Sequence, residues 1–190
     1  LIKAGARHVV VTDINGVIHR ERPDVSTGSN PHLQWIAEHT NDRGLQGNLK
    51  DAIRGADVLI GVSAPNLLTG DDIATMAEGS IVFALANPVP EVDPAAAAQH
   101  AAVVATGRSD FANQINNVLV FPGVFRGLLD AHADEVSDEV LLAAAKAVSD
   151  TVPREELNAA YIIPSVFHPN LSASVAEAVE AAAKGEPAES

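Results

Sequence analysis

Asp57–Thr69 reads DVLIGVSAPNLLT and Ser80–Pro94 reads SIVFALANPVPEVDP. Each opens on a short apolar run rich in β-branched residues and then turns polar and proline-bearing. Two further runs share that opening character, His8–Thr12 (HVVVT) and Ala102–Ala105 (AVVA). With Asp57–Gly61 and Ser80–Ala84 they make four candidate strands. Runs this uniformly apolar suit strands buried on both faces of a parallel sheet.

Helical segments lie between the runs. Pro31–His39 follows Asn30, a side chain able to cap, with proline at the first helical position. Asn48–Gly55 (NLKDAIRG) ends on glycine, and Thr69 can cap Gly70–Met76, with Asp71 and Asp72 at the favourable end of the helix dipole. Asp93-Pro94 opens Ala95–His100 in the same way. The last third changes character: Asn117–Ala131, Ser137–Val148 and Leu171–Lys184 read as helices, around an extended, proline-interrupted Tyr161–Pro169 (YIIPSVFHP). The expected fold is α/β: a doubly wound, Rossmann-like, mostly parallel sheet followed by C-terminal helices. A single domain over residues 1–190 is expected, with residues 185–190 (GEPAES) as a frayed tail.

Composition narrows the function classes. Hydrophobic residues make up 47% of 190, which excludes a disordered chain. The formal net charge of −13 argues against a nucleic-acid or anionic-membrane surface. Cysteine is absent, so disulfides, thiolate metal sites and catalytic thiols are absent too. The seven histidines show no i, i+4 pair. No run reaches membrane-span length, and LIKAGARHVVVTD lacks a signal-peptide cleavage pattern, so a cytoplasmic location is expected.

The order of elements at the start carries information. Leu1–Gly5 reads as the last turn of a helix closed by Gly5; a strand follows and ends in Asp13. In a dinucleotide-binding unit this is the second half of the first βαβ, with an acid that accepts hydrogen bonds from the adenosine ribose hydroxyls. A turn acid at a strand end is the plainer reading. The first strand and its G-x-G-x-x-G are expected upstream; the 190 residues contain no such motif.

Thr106–Asp130 reads TGRSDFANQINNVLVFPGVFRGLLD, and its first 22 residues resemble the malic-enzyme signature in its short bacterial form. IGVSAPNLLT and ALANPVPE resemble the same family's two preceding sheet-edge loops, and YIIPSVFHP a late stretch of it. The resemblance runs from about Leu1 to Lys184. It implies a truncated NAD(P)-binding domain of an enzyme that oxidatively decarboxylates L-malate to pyruvate and CO₂, reducing NAD or NADP. It further implies Mg²⁺ or Mn²⁺ in the complete enzyme, and a homodimer or higher homo-oligomer. The family's base, acid and metal-binding carboxylates precede the glycine loop, so no catalytic residue and no metal ligand is expected among these residues; Tyr161, Asp71 and Asp72 do not match those positions.

The binding residues it implies are few. Asn87 and the Asn116–Asn117 pair are to contact malate or the nicotinamide end. The amide of Asn87 can donate and accept, but an asparagine before Pro88 can equally cap its own turn. Two successive asparagines at a helix start allow one to cap while the other faces a ligand, and Asn117 is the preferred substrate contact. Ser63 lies in a loop that passes close to the dinucleotide in the family, or caps a tight turn. Arg108 is read as scaffolding paired with Asp110 rather than as an anion ligand, and Arg126 as structural. Asp13 favours NAD by repelling a 2′-phosphate, whereas His19, Arg20 and Arg22 lie close enough to receive one. The alternatives are a non-catalytic dinucleotide- or metabolite-binding module, a decayed fragment, and an amino-acid dehydrogenase; the Asn-Asn-Val and Phe-Pro-Gly stretch argues against the last.

Overall fold

A computed structural model of the chain describes residues 1–28 and 30–185. The elements in chain order are β1 (Thr12–Asp13), β2 (Gly16–Val17), α1 (Pro23–Ser26), α2 (Pro31–His39), α3 (Leu49–Ile53), β3 (Val58–Gly61), α4 (Gly70–Ile73), β4 (Ile81–Ala84), α5 (Pro94–Ala97), β5 (Val103–Thr106), a 3-10 turn (Asn117–Leu119), α6 (Phe121–Asp130), α7 (Asp138–Asp150) and α8 (Leu171–Ala183). The residues of the expected tail beyond Gly185 lie outside the described ones.

Three of the four apolar runs form one parallel sheet, in the order β3-β4-β5. Leu59, Val82 and Ala84 point to a core closed by Ile53, Ile73, Met76, Val92 and Ala97, supplied by the covering helices and loops. The other face is less covered than the unbroken apolar runs imply: Val58 is 48% and Ile60 40% exposed. The expectation of burial on both faces therefore fails for β3.

His8–Thr12 does not join this sheet. Thr12–Asp13 pairs antiparallel with Gly16–Val17 in a small hairpin. The preceding backbone is satisfied elsewhere: the Val11 carbonyl accepts from the Ile18 amide and the Val9 carbonyl from the Asn41 amide. β3 has a strand partner on one side only among the described residues; the valine run leaves that edge unpaired, and its Val11 packs against Ile18, Val25 and Ala37. Leu1–Gly5 closes as expected of a helix end: the Ala6 amide donates to the Leu1 carbonyl and the Gly5 amide to the Ile2 carbonyl, with Gly5 at φ +97°.

The helix starts follow their caps. Asn30 accepts from the amides of His32 and Leu33, Asn48 and Thr69 each form a reciprocal capping box, and Ser137 accepts from Val140. α6 and α7 both pack on α8 around Leu119, Val140, Val175 and Val179. α6 approaches α8 through Gly123 and Gly127; a Cβ on Gly127 would stand 2.4 Å from the Ala176 carbonyl oxygen.

Candidate functional site

Gly61, Ala84 and Thr106 are aligned in register as the last residues of the three parallel strands. The loops that follow therefore leave one sheet edge together. Open α/β sheets bind ligands at this carboxyl edge. Ser63 comes two residues after Gly61, and Asn87 three after Ala84. The third loop returns to the same edge, because the Ile115 amide donates to the Thr106 carbonyl at 2.8 Å and Gln114 bridges to Thr106. Asn116 and Asn117 follow directly.

The asparagine pair divides its work. Asn116 caps the 3-10 turn, its side chain accepting from the Val118 amide at 3.0 Å. Asn117 is exposed, and its side-chain amide has no hydrogen-bond partner among the described residues. The helix expected over Asn117–Ala131 is broken at Val120 into this turn and α6. Asn87 is likewise exposed, beside a cis peptide to Pro88.

Glu91, in none of the motifs as a ligand candidate, proves central to the geometry. It is 2% exposed. Its Oε1 accepts from the Ser63 amide at 2.7 Å, and more weakly from the Ser63 hydroxyl at 3.4 Å. Its Oε2 accepts from the Ala86 amide at 3.0 Å. The same two loops are stitched by main chain, from Asn66 N–H to the Pro90 carbonyl and from Leu68 N–H to the Glu91 carbonyl. Gly61 makes room: a Cβ there would lie 2.5 Å from Cδ of Glu91. A buried acid amid NPVPEV was the available signal, but only knowledge that the loops meet gives it meaning.

Asn113 was also missed. It is buried at φ +56°, donates to the carbonyls of Val104 and Ala159, and accepts from the Ile162 amide. It ties the third loop to the Tyr161–Pro169 stretch. Arg108 forks onto Asp110 at 2.8 and 2.5 Å and lies over the Phe111 ring, in agreement with the scaffold reading. Arg126 pairs with Asp130 along α6.

Asp13 lies in the β1–β2 hairpin, which is not part of the three-stranded sheet. Arg22 donates to both its oxygens, at 2.8 and 2.6 Å, and to both oxygens of Asp24, at 2.7 and 2.9 Å. The guanidinium holds both carboxyls below their ordinary range. Arg20 donates to the carbonyls of Ala37 and Glu38. Among the described residues no group of three His, Asp or Glu is placed to hold a metal ion, and no helix is long and apolar enough to cross a membrane.

The family model for "Malic enzyme, NAD binding domain" matches residues 2–184. An NAD-dependent malic enzyme of Geobacillus stearothermophilus is 51% identical over 183 residues, which are 96% of this chain and 37% of that protein. A bifunctional malic/malolactic enzyme of Bacillus subtilis is 45% identical, covering 94% of this chain and 43% of its own length. The crystal structure of an NAD-dependent malic enzyme from Thermotoga maritima superposes with a TM-score of 0.87 at 38% identity, over 94% of this chain and 46% of that one. The chain thus spans less than half the length of these relatives. From the aligned strand ends, their loops and these matches, the chain belongs to the family of malic enzyme NAD binding domains.

Proposed function

We propose that this chain serves as the dinucleotide-binding part of an enzyme that oxidatively decarboxylates L-malate to pyruvate and CO₂, with NAD as the acceptor. The observation that carries this reading is the convergence of three loops at one sheet edge with two exposed amides, Asn87 and Asn117, that are uncommitted among the described residues. Each offers a donor and an acceptor without charge, which suits a nicotinamide carboxamide, a ribose hydroxyl or a malate oxygen. The bound dinucleotide would supply the hydride acceptor. Asn117 would orient substrate because Asn116 has already taken the cap. Ser63 and Asn87 would line the dinucleotide's path.

The hairpin supports NAD over NADP. Asp13 stays ionised at neutral pH, and Oδ2 has capacity left for a ribose hydroxyl. Arg22 is engaged by two carboxylates and Arg20 by two carbonyls, so neither is free to receive a 2′-phosphate. The residues here do not fit the divalent ion implied by the resemblance. We place its ligands, and the general base and acid, outside these 190 residues, and expect the isolated chain to be inactive. A homo-oligomeric enzyme of the cytoplasm completes the reading.

The test is malate-dependent reduction of NAD and NADP by the complete polypeptide and by the 190-residue chain. Turnover by the complete polypeptide, faster with NAD, is the expected result. Dinucleotide binding without malate turnover would favour a non-catalytic module.

A further inference from the structure

We propose that Glu91 is a positioning residue, a buried brace that sets the spacing between the Ser63 loop and the Asn87 loop. This rests on the reading above that those loops hold the dinucleotide. The two loops leave neighbouring strands, Val62–Leu67 is exposed throughout, as is Asn87–Val89, and the main-chain bonds from Asn66 to Pro90 and from Leu68 to Glu91 join them only beyond Ser63 and Asn87. Into the gap the chain puts a carboxyl group that is 2% exposed and gives one oxygen to each loop, 2.7 Å to the Ser63 amide and 3.0 Å to the Ala86 amide. Both contacts are made by backbone donors adjacent to, or part of, the residues read as ligand contacts. Val92, next in sequence, is fully buried in the core beneath the sheet, so the brace is anchored in rigid packing rather than in another loop.

The chemistry of the brace requires two acceptors. A glutamine keeps the length but presents one acceptor and one donor. Whichever way its amide turns, an N–H faces either the Ser63 or the Ala86 N–H, and one loop must move off. The Gly61 surface gives an independent handle, because a Cβ there would press on Cδ of Glu91 at 2.5 Å. Displacing the brace from behind should disturb the same two loops without removing the acid.

Kinetics of the complete polypeptide carrying Glu91→Gln or Gly61→Ala, with thermal melts, test this. KM for the dinucleotide should rise about ten- to a hundredfold in both variants, as small misplacements of binding groups do, in protein that is folded at the assay temperature. A merely structural role lowers the active fraction and leaves KM unchanged; that result, or wild-type behaviour of both variants, overturns the proposal. If Glu91→Gln does not fold, Gly61→Ala decides by the same criterion, and if neither folds, Glu91→Asp, which keeps both acceptors but shortens the brace by one methylene, takes their place. Malate turnover by the wild type is the reference. Its absence overturns the functional reading, whereas its presence with unchanged KM in the variants overturns the role of Glu91 alone.

Discussion

Arg22 forks onto Asp13, Nη1 to Oδ1 at 2.8 Å and Nη2 to Oδ2 at 2.6 Å, with its own side chain only 7% exposed. It holds Asp24 in the same plane of donors, so one buried guanidinium organises the hairpin tip. Both carboxyls titrate below their usual 3.8 because of it. A depressed folded-state pKa stabilises the fold above the unfolded value, and that stability is lost as pH falls through the folded value. Melting temperatures should therefore fall as pH drops below about 4. Arg22→Met should cost about 1–3 kcal/mol at neutral pH and flatten this acid limb. Thermal melts from neutral to acid pH check it; an unchanged acid limb in the variant contradicts the assignment.

Asp13 should also set cofactor preference. Asp13→Ser removes a charge that repels a 2′-phosphate and leaves Arg22 shared with Asp24 alone. The ratio of kcat/KM for NAD to that for NADP should fall about tenfold, the equivalent of roughly one charged hydrogen bond. Steady-state kinetics with both dinucleotides measure it. A ratio that stays put or rises would place the 2′-hydroxyl elsewhere.

The sheet makes a residue-specific prediction for amide exchange in the isolated chain. Asp57 and Gly61 accept from Ile81 and Leu85, so alternate residues of β3 face β4. The amides of Val58 and Ile60 point to the unpaired side, whereas β4 is paired on both sides. Val58 and Ile60 should exchange quickly and Val82 and Ala84 slowly. Their exposed side chains also make this edge a template for self-association. Strong protection at Val58 and Ile60 in a monomer would mean that another segment pairs there.

What local sequence encodes was legible, and what depends on a neighbour was not. DVLIG, SIVFA and AVVA became strands within a residue of their expected bounds, and Asn30, Asn48, Thr69, Asp93 and Ser137 all cap. HVVVT has the same composition, yet it bonds to Ile18 and Asn41, because strand pairing needs a partner that its own residues do not specify. The position of Ser63, Asn87 and Asn117 at the carboxyl sheet edge was legible, since motif and strand ends coincide. Glu91 and Asn113 could not, because each acquires its role only when distant loops meet.

Asn117, freed by its neighbour's cap, is predicted to contact the ligand. Asn116→Ala should cost about 1 kcal/mol of stability through the lost cap. Asn117→Ala should leave the melt unchanged and lower kcat/KM for malate oxidation about ten- to a hundredfold, the worth of a hydrogen bond to a charged group. Kinetics and thermal melts of Asn117→Ala in the complete polypeptide are thus the most direct measurement. A strong kinetic loss with an unshifted melt is the predicted result, and unimpaired kcat/KM, or a loss that follows the melt, would contradict it.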